Sequence, residues 1–163
     1  MSDFSPRLQS WLDVLLKEAG AVAGTVHLHE QGGLRLAAAV NIPARVQEVV
    51  AWVPSGKGMA GLALERGEPV QTCNLQEDRS GAVKPGARAV NAQAAVAMPV
   101  RDPSGGILAV VGVAFSGERE IEGRELERLQ RAAATLAGVV GEVSRWSKAD
   151  KKQSFGKLKH TYA

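Results

Sequence analysis

Few residues in this chain have the chemistry of a site. His27 and His29 lie two apart in a β-like run, which puts both imidazoles on one face of a strand. The pair could begin a metal site. Two histidines do not complete a tetrahedral shell, however, and only Cys73 and His160 could add nitrogen or sulfur ligands. No metal is therefore assigned, and His27 is read as a hydrogen-bonding group in a pocket. Cys73 is the single cysteine, so an internal disulfide and a cysteine-only metal cluster are excluded. Buried, it would act as a small hydrophobe; as a working thiol it would need neighbouring cations to depress its pKa. Arg79, Lys84 and Arg88 follow it in the chain. Arg79 and Arg88 could present paired planar donors to a carboxylate or phosphate, or simply keep a loop solvated.

Gly56, Gly58 and Gly61 fit the dinucleotide pattern G-x-G-x-x-G. That pattern works directly after a strand, with an acidic residue about 20 positions on. Here it is expected to follow a helix-like segment and Pro54, and Glu77 and Asp78 come too early. The nucleotide reading is set aside. No Ser/His/Asp or Cys/His set stands in a recognisable frame, and no nucleophile signature such as G-x-S-x-G occurs. The expectation is a protein that is not an enzyme and that requires no cofactor.

The elements that must position these residues are legible from periodicity. Ser5 and Pro6 open a helix in which Leu8, Trp11, Leu12, Leu15, Leu16 and Ala19 recur at helical spacing, with Gly20 as its stop. Residues 21–30 and 34–40 read as a hairpin around Gly32 and Gly33. A short helix over 44–53 ends at Pro54. A second runs over 58–65 to Gly67, and a short strand covers 69–73. Residues 74–91 read as a long irregular loop, a length that is uncommon without a function. Strands over 93–100 and 107–115 are joined by a Pro/Gly turn, and the longest helix lies within 116–144. This order predicts an α+β domain: one antiparallel sheet of five to six strands, terminal helices on one face and connecting segments on the other.

Composition bounds the rest. A chain of 163 residues suits one domain and can bury a core without disulfides. No apolar run approaches the ~20 residues of a membrane span, and the first residues do not resemble a signal peptide. A cytoplasmic location is the expectation. The net charge of +3 is uneven: six cations against Asp150 make residues 145–163 a basic tail, and the body carries a slight negative excess. Three of the seven aromatics, Trp146, Phe155 and Tyr162, fall in this tail. Lysines interleaved with aromatics suit an acidic partner, an anionic membrane surface or single-stranded nucleic acid. A protein partner is expected to meet Trp146, Lys151, Lys152, Phe155, Lys157 and Lys159; nucleic acid and membrane are not.

The run Gly56-Lys57-Gly58-Met59-Ala60-Gly61, then Gly67-Glu68-Pro69-Val70, then Ala95-Val96-Ala97-Met98-Pro99-Val100, resembles a GAF domain over residues 8–144. The segment before it is a short extension over 1–7. The resemblance implies a small-molecule pocket on the sheet face away from the terminal helices, roofed by the Met59 helix and the 74–91 loop. Trp52, Met59, Gln71 and Gln93 would stand at its walls, with His27, Cys73, Arg79 and Arg88 as its polar groups. The free methionine sulfoxide reductases share this layout but use cysteines around the Gly-rich helix and the following loop. Here Ala60 follows Met59, and 74–91 holds no cysteine. The cyclic-nucleotide signature is missing, and Cys73 is not set in the Cys-His pair of a bilin site.

Terminal helices pair two copies in GAF dimers, so a homodimer is expected through Trp11, Leu15, Leu129, Leu136 and Val140. The expected function is a sensory or regulatory module that binds a small molecule and signals through its terminal helices to a separate protein. The competing reading is a ligand-free adaptor that acts by dimerisation and by docking its tail.

Overall fold

The computed structural model describes residues 4–72 and 92–141. Helix α1 spans Pro6–Ala19, with Ser5 at the N-cap and Pro6 in the first turn, where its missing N–H costs nothing. Gly20 ends it at φ 70°, and its N–H bonds back to the carbonyls of the last turn. Strands β1 (Ala23–Glu30) and β2 (Gly33–Val40) form a hairpin with a register shift between Val26 and His27. The extra residue lies on β2, and Ala37 and Ala38 both join the helix-side core.

Helix α2 (Ala44–Val49), strand β3 (Trp52–Pro54), helix α3 (Gly58–Arg66) and strand β4 (Val70–Thr72) follow. Strands β5 (Ala94–Arg101) and β6 (Ile107–Phe115) make the second hairpin, and α4 runs over Arg124–Ala134. The six strands lie in the order β3-β2-β1-β6-β5-β4, and every pairing is antiparallel. The predicted α+β architecture is the observed one.

Two element expectations are corrected. The helix read over 44–53 stops at Val49, and Trp52 and Val53 instead pair with Arg35 and Leu34 of β2. Aromatic and β-branched side chains favour the strand, and Pro54 disfavours helix in the residue before it. The last helix starts at Arg124 because Gly123 sits at φ 62°, outside helical space. Before it, Ile121 is fully buried as a plug in the core. A turn at Thr135 interrupts the helix, which resumes over residues 136–141.

The main core lies between the sheet and the α1/α4 layer. Leu8, Leu12, Leu15 and Leu16 of α1 and Leu129, Ala133 and Leu136 meet Val26, Met98, Val111 and Phe115. Leu15, Leu129 and Leu136 are thus used by the chain's own packing. The seam expected at a dimer interface is internal at these positions, because each is nearly inaccessible to a second copy. Trp11 and Val140 are only partly buried against the same core. Trp11 Nε1 donates to Thr135 Oγ1 at 3.0 Å, tying α1 to the far end of α4. Gly24 lets α1 approach the sheet: a Cβ there would stand 2.8 Å from Leu16 Cδ2 and 2.9 Å from the Gly112 carbonyl. No helix among the described residues is long and apolar enough to cross a membrane.

Candidate functional site

On the opposite face, the three central strands carry small side chains in two successive rows. Ala95, Ala114 and Ala23 face one another across β5, β6 and β1. Two residues further along each strand, Ala97, Gly112 and Thr25 form the next row. The third row, Pro99, Val110 and His27, is bulky. Side chains alternate along a strand, so both small rows stand on the face that α1 does not cover. The missing volume becomes a cavity of about 610 Å³, within the usual range for small-molecule sites.

The roof comes from the connecting segments. Ile42, Val46 and Val50 cover one side, Val53 and Met59 the other, with Trp52 and Lys57 at solvent-exposed positions of the lining. Met59 packs against both apolar clusters on this face, the one holding Val46 and Ala114 and the one holding Leu34, Leu64 and Val110. The glycines of the 56–61 run serve this roof. Gly56 and Gly58 adopt φ of 84° and 67°, and Gly61 packs so closely that a Cβ would stand 2.5 Å from the Pro54 carbonyl. The run follows strand β3 rather than the helix expected there. That strand is an antiparallel edge of three residues, not the parallel strand of a dinucleotide-binding unit. At the far end of α3, Arg101 donates to the Gly67 carbonyl at 3.0 Å and to the Gly105 carbonyl at 2.6 Å, holding the roof helix to the β5–β6 turn.

His27 is the buried polar group of the lining, with 3% of its surface exposed. Its Nε2 lies 2.9 Å from the Val50 carbonyl. A carbonyl only accepts, so Nε2 carries the proton and donates. Burial pushes the imidazole below its ordinary pKa of 6.5, against a smaller opposing pull from the Val50 carbonyl. The ring is therefore neutral, and Nδ1 keeps a bare lone pair. Among the described residues this Nδ1 is the buried side-chain polar atom without a hydrogen-bond partner. An acceptor left unsatisfied in a low-dielectric setting costs about 1–3 kcal/mol.

His27, Trp52 and Met59 are brought together in one lining. Gln71 and Gln93 stand apart from it. Val70 and Thr72 turn inward from β4, so Gln71 points the other way and its Oε1 accepts from the Ile121 N–H at 3.1 Å. Gln93 holds the start of β5 through its backbone N–H to the Phe115 carbonyl. His29 sits exposed near the strand end and donates to the Ile107 carbonyl at 2.7 Å, so it does not join His27 at one centre. Cys73, Arg79 and Arg88, and the tail residues Trp146, Lys151, Lys152, Phe155, Lys157 and Lys159, lie outside the described residues.

Comparison with known proteins agrees with this geometry. The family described as "GAF domain" matches residues 7–140. A type II free methionine-R-sulfoxide reductase from Thermoplasma acidophilum is similar in structure, with TM-score 0.66 and 18% identity over 83% of this chain and 91% of that one. The A. aeolicus nlh2 GAF domain in an inactive state gives TM-score 0.60 and 20% identity over 90% and 88%. A GAF domain/HD domain protein from Geobacter sulfurreducens gives 0.67 and 14% over 85% and 92%. No curated protein is significantly similar to the chain. These neighbours correct one expectation. Other free methionine-R-sulfoxide reductases also share the fold. The exclusion of an enzyme, drawn from the single cysteine and the missing motifs, therefore does not stand: catalysis is possible on this architecture.

Proposed function

Because the chain belongs to the GAF domain family, we propose that it is a sensory or regulatory module whose cavity holds a small, largely apolar molecule. The observation that carries this reading is the cavity on its floor of alanine and glycine, roofed by α2, β3 and α3. A chain selected only for stability gains by filling such a space, since each missing methylene forfeits about 1 kcal/mol.

Occupancy has a short route to the terminal helices. Thr25 and Gly112 form the floor, while Gly24, one residue from Thr25, meets Leu12 and Leu16 of α1 on the other face. A molecule that prefers one position of these strands over another shifts α1 with it, and only a preference of that kind can signal. The signal passes to a separate protein, and two copies associate through what α1 and α4 leave exposed, such as Val14.

Native mass spectrometry of the purified protein beside its denatured mass tests the reading. The expected result is extra mass in the native spectrum that is lost on denaturation, or, for an empty preparation, a melting temperature raised by small apolar compounds. A clean native mass together with no stabilisation by any such compound would overturn it. The same spectrum counts the subunits.

A further inference from the structure

We infer that the Thr25 hydroxyl is the polar anchor of the cavity, and that the molecule held there is neutral and apolar except for one hydroxyl or carbonyl group seated on it. The inference rests on the cavity being a ligand site and adds the ligand's chemistry and its point of attachment.

The anchor follows from what the lining offers. Of the lining side chains, Thr25, His27, Trp52 and Lys57 carry a nitrogen or oxygen atom. Both ring nitrogens of His27 are out of reach: Nε2 donates to the Val50 carbonyl, and Nδ1 is sealed by burial. Trp52 and Lys57 hold solvent-exposed positions of the lining. Thr25 is left, half-buried in the middle of the floor between Ala23 and His27 along β1. Its Oγ1 leans toward β6, since a Cβ on Gly112 would stand 2.9 Å from it. Glycine at 112 therefore leaves the hydroxyl uncovered, where a larger residue would lay a side chain against it. Among the described residues this hydroxyl has no hydrogen-bond partner, and unlike His27 Nδ1 it is not sealed.

The ligand's chemistry follows from the anchor and its surroundings. A hydroxyl both donates and accepts, so it suits a ligand hydroxyl or carbonyl alike. It cannot neutralise an ion. The described lining contains no carboxylate and one cation, the exposed Lys57. An ion on the floor would give up its hydration without a counter-ion beside it. The rest of the molecule meets the alanines and glycine of the floor and the aliphatic side chains and Met59 of the roof, a surface that favours apolar contact.

Phenol and toluene differ in a hydroxyl against a methyl, and threonine and valine differ in the same way. Absolute affinities mix the contact with the loss of water from phenol; the four affinities together isolate it. Titration calorimetry of both compounds uses protein shown by native mass spectrometry to be empty. The preference for phenol over toluene is expected to be about three- to tenfold greater in the parent than in Thr25→Val, the size of one neutral hydrogen bond. Thr25→Ser keeps the hydroxyl and most of that difference. Should Thr25→Val fail to fold, proton NMR of the parent reads the same contact: the Thr25 methyl shows an Overhauser effect to the bound phenol ring. An unchanged preference in Thr25→Val, binding of toluene without phenol, or bound phenol with no such Overhauser effect overturns the inference and leaves the cavity as a ligand site. Binding of neither compound at millimolar concentration counts against both readings.

Discussion

The two faces of one sheet differ in what their alternating residues do. On β1, Val26 and Leu28 look toward α1 and α4, while Ala23, Thr25 and His27 look into the cavity. On β6, Val111 is buried in the helix-side core, while Gly112 and Ala114 form the floor. The same backbone thus carries a tightly filled face and a deliberately thin one, one residue out of phase. Period-two alternation allows this, because each face can be set without altering the other. Stability is concentrated on the helix side, and the capacity to take up a molecule on the other.

The largest effect that separates the faces should come from Leu12→Ala. Leu12 is fully buried between α1 and the sheet, so its truncation should cost about 2–5 kcal/mol. Chemical denaturation should show that loss while affinity for a cavity ligand changes little at temperatures where the protein is folded. A matched pair of glycines sharpens the contrast. Gly24→Ala drives a methyl against Leu16 and the Gly112 carbonyl, and a backbone atom cannot step aside, so a loss of about 1–3 kcal/mol is expected. Gly112→Ala meets only the Thr25 hydroxyl at 2.9 Å and should cost less in the same denaturation series. Equal losses would mean that both faces are packed to the same tightness.

Ala97→Leu reverses the sign. Filling the floor should leave the melting temperature unchanged or raise it, by at most ~2 kcal/mol equivalent. Ligand affinity should fall by about tenfold or more, because the side chain occupies the ligand's place. A variant that melts well below the parent would show that the floor has no spare room.

The filled face was the easier to read from sequence. Leu8, Leu12, Leu15 and Leu16 repeat at helical spacing, Gly20 marks the end, and the hairpins declare themselves through their turns. Of the site, His27, Trp52 and Met59 could be named before the fold was known, and the structure places them in one lining. The floor could not be found the same way, because alanine and glycine in strands read as weak strand formers rather than as a surface. The signal lay in pairing: Ala95 and Ala97 in one strand, Gly112 and Ala114 in the next, each two apart. Only the register sets them side by side. Gln71 lies on the correct strand, but its face depends on where β4 starts, and a shift of one residue inverts it.

The smallest expected effect is a pH dependence that belongs to the thin face alone. The folded pKa of His27 lies below its unfolded value of 6.5, with burial as the main cause. Above pH 6.5 both states are neutral at this residue, and it contributes no slope. As pH falls through 6.5, the unfolded chain takes up a proton that the folded chain refuses, so stability falls until the folded pKa is reached. Asp102, also depressed, chiefly by the Ser104 hydroxyl, acts in a lower window, around and below pH 3.8. Of the residues lining the cavity with His27, Lys57 is the other ionisable group. Denaturant midpoints measured from pH 8 to pH 5 should therefore decline below 6.5 in the parent and more weakly in His27→Gln. A flat profile below pH 6.5 would mean that the folded ring takes up a proton as readily as the unfolded chain does.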